Sequence, residues 1–173
     1  MKSGKSVDEE LFPDSEPTPD DAEALLSQYR LFVETSEALV VRRQVVNTFF
    51  LSVNSIVLAA AGLLLRDDNF SDLESIALTC LSFGGGVLCV VWWRLISSFQ
   101  QLSKGKFDVI HALERRLPAR IFTAEWVALG RGKDPKKYKP FTKTEKATPL
   151  VFGGLHSLLV ITNIYMLVKS NWS

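Results

Sequence analysis

The chain has 173 residues, of which 47% are hydrophobic, and its formal net charge is +1. This length fits one domain or one small membrane bundle, and a charge so close to zero gives no overall field that would attract nucleic acid. The charges are segregated, however: residues 1–20 carry six acids against two lysines, and residues 94–146 carry thirteen Lys/Arg against five acids.

The N-terminal part of the chain predicts a tail followed by a helix. Residues 1–19 are predicted to be a disordered acidic tail because they are rich in Pro, Asp and Glu, and they lack the apolar core of a signal peptide. A cytoplasmic helix is predicted over 20–43, with Asp20 as its N-cap and Glu23 three residues on. The helix carries a largely apolar seam at spacings of four and three residues, formed by Leu25, Tyr29, Phe32, Ser36, Leu39 and Arg43. Such a seam is typical of helices that pack lengthwise.

Three apolar stretches are long enough to cross a bilayer, which takes roughly 20 residues. They predict transmembrane helices at 44–66, 75–96 and 148–168, with an acidic outer loop at 67–74 and a short tail at 169–173. In the first stretch apolar side chains occupy every face of the helix, which favours lipid over a soluble core. The sequence therefore predicts an all-α integral membrane bundle.

The distribution of Lys and Arg predicts the orientation of this bundle. Positive residues concentrate on the cytoplasmic side of membrane proteins. Arg42 and Arg43 precede the first span, and the segment 97–147, predicted to be a basic cytoplasmic domain, follows the second. We therefore expect the N-terminus and residues 97–147 inside, and the loop 67–74 outside.

The second span is predicted to continue as one long helix beyond the membrane. Its apolar spacing runs on from Leu95, is interrupted by Lys106 and stops at Pro118. This row and the seam of the first helix are expected to pack together in a cytosolic helical collar. Thr123 is then predicted to cap a short helix that ends at Gly130.

Four polar side chains lie within the predicted spans. Asn47 and Asn54 are seven residues apart in the first span, and His156 and Asn163 are seven apart in the third, so each pair shares one helix face. Polar groups inside a membrane need partners, so these faces are expected either to bond other helices or to line a pore.

Basic residues near the predicted spans suggest contacts with lipid. Arg94, Lys136, Lys137 and Lys139 are predicted to contact anionic headgroups. Trp92 and Trp93 are predicted to lie in the interfacial aromatic belt. The glycine-containing run 130–133 lacks the spacing of a phosphate loop, and it offers too few stacking aromatics for nucleic acid.

No residues show the pattern of a catalytic or metal site. No serine, cysteine or carboxylate has a recognisable nucleophile or acid–base setting, so we expect neither an enzyme nor a cofactor. Cys80 and Cys89 are nine residues apart and face opposite sides of a helix, which argues against a disulfide between them. With no nearby His or acid, they are expected to be packing residues.

Four segments of the chain resemble RipA-type bacterial membrane proteins. They are YRLFVETSEALVVRRQVVNTFFLSVN at 29–54, WWRLISSF at 92–99, KFDVIHALERRLP at 106–118 and EWVALGRGKDPKKYKPFT at 125–142. The resemblance covers about residues 25–168. It implies a bacterial inner-membrane protein that assembles as a homo-octamer, and it implies no established reaction.

Three functional hypotheses are consistent with the sequence. The first is a structural or scaffolding membrane assembly, a ring of subunits with a cytosolic collar. The alternative is a channel or membrane-permeabilising effector gated through its cytoplasmic domain. The third is an adaptor whose basic domain recruits a soluble cytoplasmic partner.

Overall fold

The structure is a computed structural model that describes residues 6–12, 18–65, 71–138 and 142–170. Of these residues 88% are helical and none lies in a strand, which confirms the predicted all-α class. The helices are α1 (Val7–Leu11), α2 (Ala22–Leu64), α3 (Asp72–Glu114), α4 (Ile121–Ala128) and α5 (Thr142–Ser170). Two 3₁₀ turns are also described, at Pro19–Asp21 and Gly130–Gly132.

Helices α2, α3 and α5 are each long and apolar enough to cross a membrane, as the sequence predicts. Their most apolar 18-residue windows have mean hydropathies of 1.7, 1.9 and 1.7. Helices α2 and α3 have 43 residues each, about twice what a span requires. Parts of the predicted tails and of the loop 67–74 lie outside the described residues.

The chain divides into two compact units. The α4 unit comprises Met1–Arg42 and Phe99–Phe141, and the bundle unit comprises Arg43–Ser98 and Thr142–Ser173. Helices α2 and α3 contribute residues to both units. Helix α4 belongs to the first unit only, and α5 to the second.

The core of the α4 unit forms where the predicted seam of α2 packs against α3. Leu25 and Tyr29 of α2 are buried with Ile110 and Leu113 of α3. Lys106, which interrupts the apolar row of α3, is accommodated by two contacts with α2. Its ammonium donates to Thr35 Oγ1 at 2.8 Å and lies 4.5 Å from the centroid of the Phe32 ring.

Glu114 is a fully buried carboxylate at the end of α3, outside the predicted spans, and it fixes the start of α4. The backbone N–H groups of Phe122 and Thr123 donate to it at 2.7 and 3.0 Å, and the Thr123 hydroxyl donates at 2.9 Å. The Tyr29 hydroxyl donates to the same carboxylate at 3.1 Å. Because free N–H groups at a helix N-terminus attract negative charge, Glu114 acts as the cap of α4.

These contacts oppose the effect of burial on the ionisation of Glu114. Burial alone would raise the pKa of this carboxyl, but the hydrogen bonds from Phe122, Thr123 and Tyr29 outweigh it and hold the pKa below its usual value. Burial, together with the neighbouring carboxylate, raises the pKa of Tyr29 to about 12. Glu114 is therefore ionised and Tyr29 neutral at pH 7.

Two predicted helix caps are wrong, and a short helix lies within the predicted disordered tail 1–19. Thr123 lies inside α4 instead of capping it, because Glu114 supplies the oxygen atoms from another helix. In the 3₁₀ turn that precedes α2 the Thr18 N–H and hydroxyl donate to the Asp21 carboxylate, so Thr18, not Asp20, occupies the capping position. Within the predicted tail 1–19, Val7–Leu11 forms the short helix α1.

Helix α1 is stabilised locally and by a contact with the turn that follows α3. Ser6 and Glu9 form a reciprocal capping box at its start. Asp8 pairs with Arg115, and this hydrogen bond lowers the pKa of the Asp8 carboxyl. Phe12 packs against the core of the α4 unit.

We predict that Glu114→Gln lowers the free energy of unfolding by about 1–3 kcal/mol, because a buried charged acceptor is lost. Thermal unfolding in detergent measures this, and the exposed Glu37→Gln is the matched control. Folding lowers the pKa of Glu114. The contribution of its carboxylate to stability is therefore complete above the pKa of the unfolded state, about 4.3, and is lost as the pH falls toward the pKa of the folded state. Equal pH dependence of wild type and Glu114→Gln between pH 7 and 3 would contradict this role.

Candidate functional site

Nine of the buried positions in the bundle unit recur at intervals of seven residues, and several carry polar side chains. They are Asn54 and Ala61 on α2, Ser75, Ser82, Cys89 and Ile96 on α3, and Pro149, His156 and Asn163 on α5. A seven-residue repeat keeps one face of each helix toward its neighbours. The polar side chains therefore lie in the interior of this unit, and large apolar side chains such as Phe83, Leu150 and Ile161 are exposed. Three layers of hydrogen bonds join the helices.

The middle layer is centred on Asn54, which is fully buried. Its Oδ1 accepts from the Cys89 thiol at 3.2 Å and lies 3.2 Å from His156 Nε2, so one amide joins all three helices. Its Nδ2 donates to the Phe50 carbonyl at 2.9 Å. Because Oδ1 only accepts, the proton in the His156 contact lies on Nε2, and Nδ1 is left as an acceptor in the neutral ring.

Gly85 makes room for the imidazole of His156 in this layer. A Cβ at position 85 would lie 2.1–2.6 Å from the ring atoms Cε1, Nε2 and Nδ1. The neighbouring Gly84 and Gly86 have no atom within 4 Å of the equivalent position. Gly85 is therefore the one glycine of this triplet on which the His156–Asn54 contact depends.

A second layer joins α3 to α5 through Asn163. The Asn163 amide nitrogen donates to the Ser75 carbonyl at 3.0 Å and to Thr79 Oγ1 at 2.8 Å. Its Oδ1 accepts from the Ser75 hydroxyl at 3.0 Å. Both polar atoms of the amide are thus bonded to α3.

The third layer joins the three helices through Asn47. The Trp92 indole N–H donates to Asn47 Oδ1 at 2.9 Å, and Asn47 Nδ2 donates to Glu145 Oε1 at 3.0 Å. Arg43 Nε lies 3.4 Å from the same carboxylate oxygen, an ion-pair distance without hydrogen-bond geometry. Glu145 is buried, so the nearby guanidinium offsets part of its desolvation cost.

Trp92, which was predicted to lie in an interfacial belt, faces the interior of the bundle unit. It is 2% exposed, lies parallel to Phe50 with ring centroids 5.9 Å apart, and packs against Phe152. Because its N–H has a partner in Asn47, the indole is satisfied inside the bundle. Trp93 is 42% exposed and lies near the Lys146 ammonium.

The structure places the four polar residues of the predicted spans in these layers. Asn54 and His156 contact each other, whereas Asn47 and Asn163 belong to separate layers. Their partners Cys89, Ser75 and Glu145 were not predicted as site residues, although Ser75, Ser82 and Cys89 share the same seven-residue spacing in the sequence.

The predicted headgroup-contacting residues lie outside these layers. Arg94, Lys136 and Lys137 are exposed, and Lys139 lies outside the described residues. The two cysteines are free. Within the described ranges no group of three or more His, Cys, Asp or Glu side chains is placed to hold a metal ion.

Three apolar helices joined by buried polar side chains define the class of the protein as a helical membrane bundle. Residues 26–165 match the octameric membrane protein family (8xMP), and the chain belongs to this family. The suspected membership of an octameric membrane protein family is thereby confirmed. No similarity to a curated protein or to a solved structure is found.

We predict that Gly85→Ala destabilises the protein more than Gly84→Ala. The added methyl group displaces the buried His156 ring, which cannot move without losing its contact with Asn54. Gly84→Ala meets no atom, and Ala is favoured over Gly in a helix by about 1 kcal/mol. Thermal unfolding in detergent compares the two variants, and equal unfolding temperatures would show that the ring does not depend on this glycine.

Proposed function

We propose that the protein is a scaffold of the bacterial cytoplasmic membrane, built as a ring of eight chains with the N-terminus inside. Membership of the octameric family supports the number of chains. Arg42 and Arg43, together with the excess of Lys/Arg in residues 94–146, support the orientation through the positive-inside rule. The cytosolic residues then form a helical collar around the ring.

The observation that carries the scaffold proposal is the use of the polar side chains within one chain. Asn47 and Asn163 bond other helices of the same chain through both of their polar atoms. Asn54 contacts α3 and α5 through Oδ1, and its Nδ2 donates to a backbone carbonyl of its own helix. Side chains engaged in this way hold helices together and are not free to line a central opening. The outward faces are apolar and suit lipid or neighbouring copies.

A channel is the second candidate, and one observation favours it. His156 Nδ1 and Ser82 Oγ are buried and have no hydrogen-bond partner among the described residues. Buried polar atoms are nearly always bonded, so this acceptor and this hydroxyl offer contacts for water or a proton inside one bundle. The gate of such a channel would be the basic cytoplasmic segment.

Two further contacts belong to the proposal. The exposed Arg94, Lys136 and Lys137 contact anionic headgroups, each Lys or Arg near the surface contributing about 1 kcal/mol. The basic segment 97–147 is also suited to an acidic soluble partner, which would make the ring an adaptor. We propose no reaction and no cofactor for the assembly.

We predict that the mass of the protein in detergent corresponds to eight chains of 19.3 kDa. After reconstitution into liposomes, we expect no proton flux above that of empty vesicles. A pH-sensitive dye inside the vesicles measures the flux. A monomeric mass would end the scaffold proposal. Proton flux that is abolished by His156→Leu would support the channel in place of the scaffold. The control is Ser157→Ala, which removes an exposed hydroxyl beside His156 and should leave such a flux intact.

A further inference from the structure

The α4 unit contains a cavity of about 390 Å³ with a largely aromatic wall. Phe107 comes from α3, Phe122 and Trp126 come from α4, and Tyr138 follows the 3₁₀ turn. The volume is in the range of small-molecule sites. None of these side chains takes part in the polar layers of the bundle unit.

The four rings stand in pairs that are close to perpendicular. Phe107 and Phe122 have centroids 6.0 Å apart and an interplanar angle of 70°, and Trp126 and Tyr138 have centroids 6.2 Å apart and an angle of 74°. In each pair the edge of one ring meets the face of the other, and all four rings line the cavity. The face of an aromatic ring carries negative potential and attracts cations.

Two features of the backbone hold these walls in place. The N–H groups of Phe122 and Thr123 are bonded to the buried Glu114, which fixes the start of α4. Gly132 has a φ of +67° and lies against Trp126, where a Cβ would be 2.9 Å from the indole atom Cη2. The site therefore needs little ordering when a ligand binds.

The walls are exposed to an unusual degree for aromatic side chains. Phe107 is 40% exposed, Trp126 41% and Tyr138 38%. Large apolar side chains exposed around a concave surface mark a binding site more often than isolated ones do.

The charges of the cavity identify the ligand chemistry. Lys104 of α3 and Glu125 of α4 line it together with His111 of α3, and no ion pair joins Lys104 to Glu125 among the described residues. A neutral apolar ligand would use neither charge, and a simple anion would face both Glu125 and the ring faces. A molecule with a cationic and an anionic end satisfies both side chains and the rings.

We propose that this cavity binds a small zwitterion with a methylated ammonium group. The ammonium lies between the aromatic walls near Glu125, and the anionic group pairs with Lys104. This binding is independent of the proposed scaffold function, because it requires neither eight chains nor a closed membrane.

Calorimetric titration of the full-length protein in dodecyl maltoside tests the proposal. Choline-based and amine-oxide detergents are avoided because they carry the headgroup under test. The probes are phosphocholine, a lipid headgroup, and glycine betaine, a free solute, each compared with 3,3-dimethylbutan-1-ol, the neutral carbon isostere of choline. We expect at least one zwitterion to bind and the neutral isostere to bind more than roughly tenfold more weakly.

Variants distinguish binding by the charged and aromatic side chains of the cavity from binding to a general apolar surface. Glu125→Gln keeps the size of an exposed side chain and is expected to weaken binding several-fold, and Trp126→Leu is expected to weaken it roughly tenfold. Glu23→Gln, at an exposed position of α2, is the control for charge, and Trp93→Leu is the control for loss of an exposed indole. No binding of either zwitterion, equal binding of the neutral isostere, or undiminished binding by both Glu125→Gln and Trp126→Leu would each overturn the proposal.

Discussion

A side-chain amide or imidazole without a partner in lipid hydrocarbon costs several kcal/mol, and this cost determines the arrangement of the bundle unit. Lipid tails are as apolar as leucine, so burying leucine between membrane helices gains little, whereas pairing a polar group gains its hydrogen bond. The interior of this unit is accordingly polar at the level of Asn54, of Asn163 and of Asn47, and its outer faces are apolar. The seven-residue spacing brings a polar side chain to the same helix face at each layer, and successive layers are about 10.5 Å apart along the helix.

The α4 unit follows the opposite rule, because its core is apolar, and its buried carboxylate Glu114 caps α4. Leu25, Ile110 and Leu113 supply apolar burial, and Glu114 receives four hydrogen bonds there. These hydrogen bonds offset the desolvation cost of burying the carboxylate, and they set the position of α4. The aromatic cavity depends on that placement, since Phe122 and Trp126 lie on the same short helix. One buried acid thus links the packing of α3 to the shape of a site.

The parts of this structure that were predictable from the sequence are those set by local pattern. The presence of three stretches long and apolar enough to span a membrane follows from composition alone, and the seam residues Leu25 and Tyr29 follow from their spacing. The polar faces of the first and third spans were also visible, because Asn47 and Asn54 are seven residues apart, as are His156 and Asn163. These features need no knowledge of which helix lies beside which.

The contacts between elements were not predictable, because they depend on the register of one helix against another. That Asn54 meets His156 rather than Asn163 requires the alignment of α2 with α5. The need for glycine at position 85, rather than at 84 or 86, follows from the alignment of α3 with α5. The burial of Trp92 depends on Asn47 being level with it. The sequence alone indicates an ordinary solvated acid at position 114. Glu114 is buried because the chain after Pro118 folds back as α4 and packs against it.

A double-mutant cycle between Asn54 and His156 tests most directly whether polar pairing holds the helices of one chain together. The free energies of unfolding of wild type, Asn54→Leu, His156→Leu and the double variant would be measured in mixed micelles of maltoside and sodium dodecyl sulfate. If the pair joins α2 to α5, the two substitutions are coupled by about 0.6 kcal/mol or more, the scale of such bonds in membrane bundles. Additive effects, with no coupling between the two positions, would contradict it.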